Sequence, residues 1–135
     1  MIEFFIPIEP EAASRPRFAC INGHAKAYPL PAYKLYQAEL ATFFSTLTLS
    51  EPIEVYDGPI ELDLCFIMPR PKGKSIIERG WMKPDIDNLA KPIMDAMTKA
   101  EYFFKDDAQI TRLRVEKLFA REEVALGTNV QLTYW

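Results

Sequence analysis

The stretch KPDIDNLAKPIMDAMTKA, residues 83–100, carries the clearest helical signal in the chain. Its apolar side chains recur at helical spacing on one face, and its polar side chains fall on another. The apolar positions are Ile86, Leu89, Ile93, Met97 and Ala100, and the polar positions are Asn88, Lys91, Asp95 and Lys99. Pro92 lacks a backbone N–H and is tolerated only around a first turn, so we predict a helix from Asn88 or Leu89 to Ala100.

Two carboxylates, Asp85 and Asp87, would precede this helix. Pro84 favours an extended conformation for the residue before it, and in an extended chain residues i and i+2 point to the same side. If the chain stays extended through Asp87, the two carboxylates converge. Converging carboxylates repel unless a cation lies between them, and Mg²⁺ prefers such hard oxygen ligands.

Two other interpretations of the acidic pair are possible. One involves no catalysis, and the other involves a different metal. Asp87 or Asn88 would simply cap the helix, with Asp85 well placed for the helix dipole. An EF-hand calcium loop is the second, but it requires a ligand, a glycine and a glutamate at three later positions. The chain has Leu89, Ala90 and Ala96 there, which excludes the EF-hand and leaves the cap as an open alternative.

A third acidic position follows the helix in YFFKDDAQI, residues 102–110, which contains Asp106 and Asp107. The predicted helix is about 20 Å long, and the segment from Ala100 to Asp107 spans up to about 23 Å. Asp107 can therefore return to the start of the helix. Lys91 lies one turn into the helix, where it either meets a scissile phosphate or pairs with Asp95. Together these residues suit metal-assisted phosphodiester hydrolysis.

The remaining pattern predicts an α+β fold in one domain, residues 1–135, with a small mixed β-sheet and two main helices packed on it. We predict strands at 2–8, 60–66, 110–119 and 124–134, a first helix at 31–48, an irregular arm at 9–30 and a long loop at 69–84. The last two strands are expected to pair as a hairpin around 120–123.

Charge and composition narrow the class of protein. There are 16 basic and 19 acidic residues, a net charge of −3, which taken alone argues mildly against a partner that is a polyanion. The bases nevertheless cluster in residues 12–34 and 69–91. Neither a run of eighteen apolar residues nor a basic leader is present, so we expect a cytoplasmic protein with no membrane partner. The cysteines, Cys20 and Cys65, lack metal-ligand spacing.

The motifs KPDIDNLAKPIMDAM and DDAQI, separated by TKAEYFFK, closely resemble the core of the RusA-type Holliday-junction resolvases. Members of that family carry D-[LI]-D-N-L-x-K-x-x-x-D-A-[LM] followed by D-D-x-[QV]. SRPRF and GHAKAYPLPAYKLYQAEL are similar to the family's N-terminal arm, so the resemblance covers most of residues 14–120.

That resemblance implies a RusA-like fold and a homodimeric, Mg²⁺-dependent endonuclease of DNA recombination and repair, in which Mn²⁺ is expected to substitute. Its substrate would be four-way junction DNA, nicked symmetrically in two opposed strands. Such proteins are typically encoded by a phage or prophage. A non-catalytic module that binds branched DNA is the alternative.

The resemblance also assigns individual residues. Asp85, Asp87 and Asp107 match the metal-binding catalytic aspartates, and Lys91 matches the essential lysine. Supporting positions near them are Asn88, Asp95 and Asp106, of which we expect Asp95 to orient Lys91. The family's arginine run before the first aspartate is missing here. Phosphate contacts are therefore expected from local bases, namely Arg15, Arg17, Arg70, Lys72, Lys74 and Lys83.

Overall fold

The structure of the protein is a computed structural model, and it describes most of the chain. The described residues are 1–13, 17–28, 31–47, 49, 54–70, 83–120 and 125–135. For 17–21 and 24–28 it describes the backbone alone. Among the described residues, no helix is both long and apolar enough to cross a membrane.

The described elements are strands and two helices that do not alternate regularly, as is typical of an α+β fold. In chain order they are β1 (Ile2–Ile6), β2 (Arg17–Ile21), β3 (His24–Tyr28), α1 (Pro31–Thr46), β4 (Ile60–Met68), α2 (Ile86–Ala100), a 3-10 turn (Asp107–Gln109), β5 (Ile110–Phe119) and β6 (Gly127–Tyr134). Within the described ranges, one mixed sheet has the order β1-β6-β4-β5, and β2 pairs with β3 separately. The predicted fold class, a mixed sheet with two helices, is confirmed.

Strand β4 forms the centre of the core because its side chains alternate between the two faces of the sheet. Ile60, Leu62, Leu64 and Phe66 are buried, whereas the residues between them are partly exposed, as the period-2 pattern predicted. Both helices pack into the same hydrophobic cluster. Helix α1 contributes Tyr36, Leu40 and Phe44, and α2 contributes Leu89, Ala90, Ile93 and Met97.

The predicted hairpin between the last two strands is wrong, because β4 lies between them. Strand β4 pairs in parallel with β5, where Leu62 is opposite Leu113. It pairs antiparallel with β6, where Leu62 is opposite Leu132. Parallel neighbours need a long crossover connection, and the chain from β4 through α2 to β5 provides it. Most of the predicted turn at 120–123 lies outside the described residues, which exclude 121–124.

The prediction of an irregular arm at 9–30 is wrong for 17–28, where β2 and β3 form a hairpin. Its turn residues Asn22 and Gly23 both have positive φ, 52° and 77°. Asn-Gly favours this two-residue turn, so the signal was present in the sequence. Residues 14–16 and 29–30 lie outside the described part of the chain.

Other boundaries differ from the predictions by a few residues. Strand β1 ends at Ile6 rather than Ile8, helix α1 ends at Thr46, and β6 begins at Gly127. Thr48, the predicted end of α1, and Val124, the predicted start of the last strand, are outside the described residues. A side chain at Gly127 would meet the Ile6 carbonyl, so the absence of one allows β6 to approach β1 closely.

Candidate active site

Helix α2 begins at Ile86, earlier than the predicted start at Asn88 or Leu89. Asp85 is the extended residue before the helix (φ −71°, ψ 145°), and Asp87 already lies in the first turn. The prediction of an extended chain through Asp87 is therefore wrong, because only Asp85 is extended. Pro92 is tolerated well inside the helix because the carbonyl it cannot serve, that of Asn88, accepts the N–H of Ala13 at 2.7 Å.

The predicted alternative, in which Asp87 or Asn88 caps α2, is also wrong because both residues lie within the helix. Asp85 occupies the cap position, but its side chain makes no capping hydrogen bond. Its carboxylate instead pairs with Lys83 Nζ at 3.2 Å. Asp85, Asp87 and Asn88 are all exposed. Closing the helix end therefore does not occupy these side chains.

Lys117 on β5 contacts the segment just before Asp85. Its Nζ donates a hydrogen bond of 2.6 Å to the carbonyl of Pro84, and the side chain is partly buried. Lys117 lies opposite the buried Phe66 of β4, and its β5 neighbours on the same face, Val115 and Phe119, are apolar. A lysine in an apolar register is a detectable signal, but sequence reasoning assigned Lys117 no role.

One polar stripe runs along α2 through Asp87, Lys91 and Asp95, which are spaced by four residues and therefore share a face. Lys91 Nζ lies 3.7 Å from Asp95 Oδ2, so the predicted pairing of these two side chains is present. The Lys91 side chain is 67% exposed. An exposed pair of this kind contributes only about 0.3–0.5 kcal/mol, so Lys91 can turn to another anion at little cost.

The turn of residues 105–109 carries the second pair of acids. Asp106 Oδ1 accepts the N–H of Ala108 at 2.9 Å, and the Gln109 side chain accepts the N–H of Asp106 in return. This reciprocal capping box closes the 3-10 turn that begins at Asp107. Just before the turn, Phe103 and Phe104 are fully buried in the core. The position of the turn is therefore tied to the packing of the whole fold.

The turn brings Asp107 back to the polar stripe of α2. A hydrogen bond to the Asp106 side chain, partial burial and the carboxylates of Asp106 and Asp95 raise the pKa of Asp107, while Lys91 lowers it. The hydrogen bonds from the Ala108 N–H and from Asp107 lower the pKa of Asp106. Asp107 therefore returns to α2, but not to the start of the helix as predicted: it lies near Lys91 and Asp95, one to two turns beyond Asp87.

The carboxylates of this region suit a divalent cation in their chemistry. The hydrogen bond to Asp106 and burial are the main causes of the raised pKa of Asp107, and the negative charges of Asp106 and Asp95, which a cation would offset, add to it. Within the described ranges, no group of three or more Asp, Glu, His or Cys side chains is arranged to hold a metal ion. Mg²⁺ does not need a cage of protein ligands, because it is usually held by one or two carboxylates and keeps several waters. The residues therefore fit such an ion.

The predicted DNA contacts are only partly covered by the structure. Arg70, just after β4, and Lys83, just before α2, are both exposed. The backbone of Arg17 belongs to β2, and its side chain is not described. Arg15, Lys72 and Lys74 lie outside the described residues.

Comparison with known families identifies the class of protein. The family described as Endodeoxyribonuclease RusA matches residues 7–132, a span that includes α2 and the 105–109 turn. The chain belongs to the RusA family. It is therefore a nuclease, and the resemblance read from the motifs is confirmed.

Two similar proteins show how far the similarity extends. The uncharacterized protein YqaN of Bacillus subtilis (strain 168) is 30% identical over 132 residues, covering 90% of this chain and 89% of YqaN. The crossover junction endodeoxyribonuclease rusA of Lactococcus phage r1t is 32% identical over 74 residues, covering 53% of this chain and 56% of the phage protein.

Proposed function

We propose that this RusA-family nuclease resolves four-way DNA junctions by paired, symmetric nicks that depend on Mg²⁺, with Mn²⁺ able to substitute. The observation that carries the proposal is the return of Asp107 to the α2 face that bears Lys91 and Asp95. A carboxylate turn against a helix with further carboxylates and a lysine is suited to phosphoryl chemistry. The phage relative, named a crossover junction endodeoxyribonuclease, supports branched DNA as the substrate.

Asp85, Asp87 and Asp107 are the residues that would hold the metal. A divalent ion held there would supply Lewis-acid chemistry, polarising the phosphate and making water a better nucleophile. Lys91 offsets the negative charge that builds on the phosphate under attack. Asp95, 3.7 Å from Lys91, orients that ammonium, and Asp106 fixes the turn that presents Asp107. Asn88, exposed beside Asp87, supports the start of the site.

The reaction is a hydrolysis. A water oxygen bonds to phosphorus as the bond from phosphorus to the 3′ oxygen breaks, and that oxygen takes up a proton. The products are 5′-phosphate and 3′-hydroxyl ends. Two coordinated cuts on a nearly two-fold junction require a two-fold protein, so the active species is a homodimer. Local basic side chains contact the DNA phosphates, which makes binding sensitive to salt. These residues are Arg15, Arg17, Arg70, Lys72, Lys74 and Lys83.

The setting proposed for this activity is the cytoplasm of a bacterial host, with the protein encoded by a phage or prophage. The similarity to a Lactococcus phage protein supports that origin.

The test uses an end-labelled four-way junction and a linear duplex of the same sequence, each in Mg²⁺ and in EDTA. Wild type should nick the junction symmetrically, only with metal, and leave the duplex intact. Asp107→Asn should bind the junction without cutting it. Glu3→Gln, which changes an exposed carboxylate on β1, is the matched control and should cut normally. Wild type that binds the junction but never cuts it would instead favour a non-catalytic branched-DNA module.

A further inference from the structure

The side-chain amide of Gln109 makes four hydrogen bonds, all of them to backbone groups. Its Oε1 accepts the N–H groups of Lys105 at 2.8 Å and Asp106 at 3.0 Å. Its Nε2 donates to the carbonyls of Tyr56 at 2.8 Å and Gly58 at 3.0 Å. A glutamine amide has two donor hydrogens and two acceptor lone pairs, so all four are used. Because donors face one end and acceptors the other, a carboxylate cannot make the same set of contacts.

These four hydrogen bonds join two segments that are about fifty residues apart in sequence. One segment is the 105–109 turn, and the other is the 56–58 segment that leads into β4. The exposed Lys105–Asp57 pair at 3.0 Å joins the same two segments, and the Tyr56 N–H donates to the carbonyl of Phe103, just before the turn, at 3.3 Å. Strand β4 is an inner strand of the four-stranded sheet and its alternate side chains are buried, so the turn is anchored to a segment that leads directly into the core.

Asp107 lies inside the turn that Gln109 ties at both ends. The N–H groups held by Gln109 belong to the two residues before Asp107, and Gln109 itself is two residues after it. A shift of the backbone at Asp107 relative to α2 would therefore have to break the contacts that Gln109 makes to the 56–58 segment. Gln109 plays no part in the chemistry proposed above, although it belongs to the DDAQI motif.

We infer that Gln109 is a positioning residue, which holds the Asp107 carboxylate where it can bind the divalent metal. This inference rests on the proposed function, because it takes Asp107 to be a metal ligand. Residues that orient metal ligands typically change metal affinity by about 10–100-fold when they are replaced. A residue that merely stabilises the fold lowers the melting temperature and leaves the metal affinity of the folded protein unchanged.

The experiment measures Mn²⁺ affinity directly, from the electron paramagnetic resonance signal of free Mn²⁺ during a titration of the full chain. The variants are Gln109→Leu, Gln109→Glu and Asp107→Asn, all titrated well below their melting temperatures. Gln109→Glu keeps the size of the side chain and guards against failure of Gln109→Leu to fold. Gln131→Leu is the matched control, since Gln131 donates only a 3.2 Å hydrogen bond to exposed Glu3 on β1.

Gln109→Leu should bind Mn²⁺ about 10–100-fold more weakly than wild type, and Gln131→Leu should match wild type. Gln109→Glu should also bind more weakly, although its added negative charge by itself attracts a cation. Wild-type affinity in Gln109→Leu, with only a lower melting temperature, would overturn the inference while leaving the proposed function intact. Wild-type affinity in Asp107→Asn would instead remove the metal assignment and the inference together.

Discussion

The start of helix α2 and the 105–109 turn present their acidic side chains in contrasting ways. At the start of α2, Asp85 and Asp87 are exposed, and Asp85 pairs with an exposed lysine. In the turn, a capping box and the Gln109 amide fix the backbone around Asp107. The turn is thus held in place without a metal, whereas the side chains at the helix start remain free to adjust. Substitutions at the start of α2 should therefore change how the carboxylates bind a metal. Substitutions in the turn should also change where the Asp107 carboxylate lies.

The largest expected effect comes from Asp87→Asn, which keeps the shape of the side chain and removes its charge. We expect the rate of junction cleavage to fall by at least about 100-fold. A tenfold change in rate corresponds to about 1.4 kcal/mol of activation free energy, and a metal ligand contributes several kcal/mol. The free energy of unfolding should fall by no more than about 1 kcal/mol, the usual contribution of an acid in a first helical turn. Single-turnover cleavage and thermal melts measure the two effects. A large loss of stability with normal cleavage would identify Asp87 as structural.

Lys91→Met should lower the cleavage rate by about 10–100-fold, because it removes the ammonium that offsets charge on the phosphate. Junction affinity should change far less, and the melting temperature should barely move, because the exposed pair with Asp95 contributes little. Lys99→Met, an exposed lysine in the last turn of the same helix, is the control. Equal losses in both variants would mean that only overall charge matters.

A smaller effect is expected for Lys117→Met, about tenfold in Mn²⁺ affinity. The 2.6 Å hydrogen bond from Lys117 to the Pro84 carbonyl holds the backbone just before Asp85. Loss of a positive charge alone would strengthen cation binding, so the direction of the change separates the two roles. Tighter Mn²⁺ binding in Lys117→Met would show that Lys117 acts through its charge and does not position Asp85. The start of α2 would then remain the adjustable part of the site and the 105–109 turn the fixed part.

The smallest effect concerns stability and pH. Asp106 and Asp95 raise the pKa of Asp107, and Lys91 opposes them. A raised carboxyl pKa disfavours the folded state when the group is ionised, and this penalty disappears as the pH falls through the folded-state pKa towards the unfolded value of about 4. Without divalent metal, Asp107→Asn should therefore melt slightly above wild type at pH 7.

That difference between Asp107→Asn and wild type should shrink as the pH approaches 4. Asp106 behaves oppositely, because its lowered pKa stabilises the fold at neutral pH and this stabilisation is lost in acid. Added Mg²⁺ should raise the melting temperature of wild type and not of Asp107→Asn. If Asp107→Asn melts below wild type at pH 7 in EDTA, the proposed electrostatics of the turn are contradicted.

Local sequence patterns predicted the parts of the fold that depend on periodicity. The alternation along β4 and the apolar stripe of α2 follow from which side chains must be buried, and both were predicted correctly. The position of β4 between β5 and β6 was missed, because strand neighbours depend on long-range pairing that no local pattern encodes. The start of α2 was missed for a similar reason, since the bond that lets Pro92 sit inside the helix comes from the distant Ala13.

The candidate site shows the same division. The motif marked Asp85, Asp87, Lys91 and Asp107, and simple chain lengths indicated that Asp107 returns to α2. The groups that hold these residues in place, Lys117 and Gln109, were not assigned roles. Their partners are backbone atoms of Pro84, Tyr56 and Gly58, which become neighbours only through the tertiary fold.

The most direct test of the account asks whether the helix start and the turn act on one metal. Single-turnover cleavage of a four-way junction at saturating Mg²⁺ is measured for wild type, Asp87→Asn, Asp107→Asn and the double variant. Residues that act as a unit are strongly non-additive, so the double variant should be about as slow as the slower single variant. A double variant whose loss is the product of the two single losses, or a single variant that cuts at the wild-type rate, would contradict a shared site.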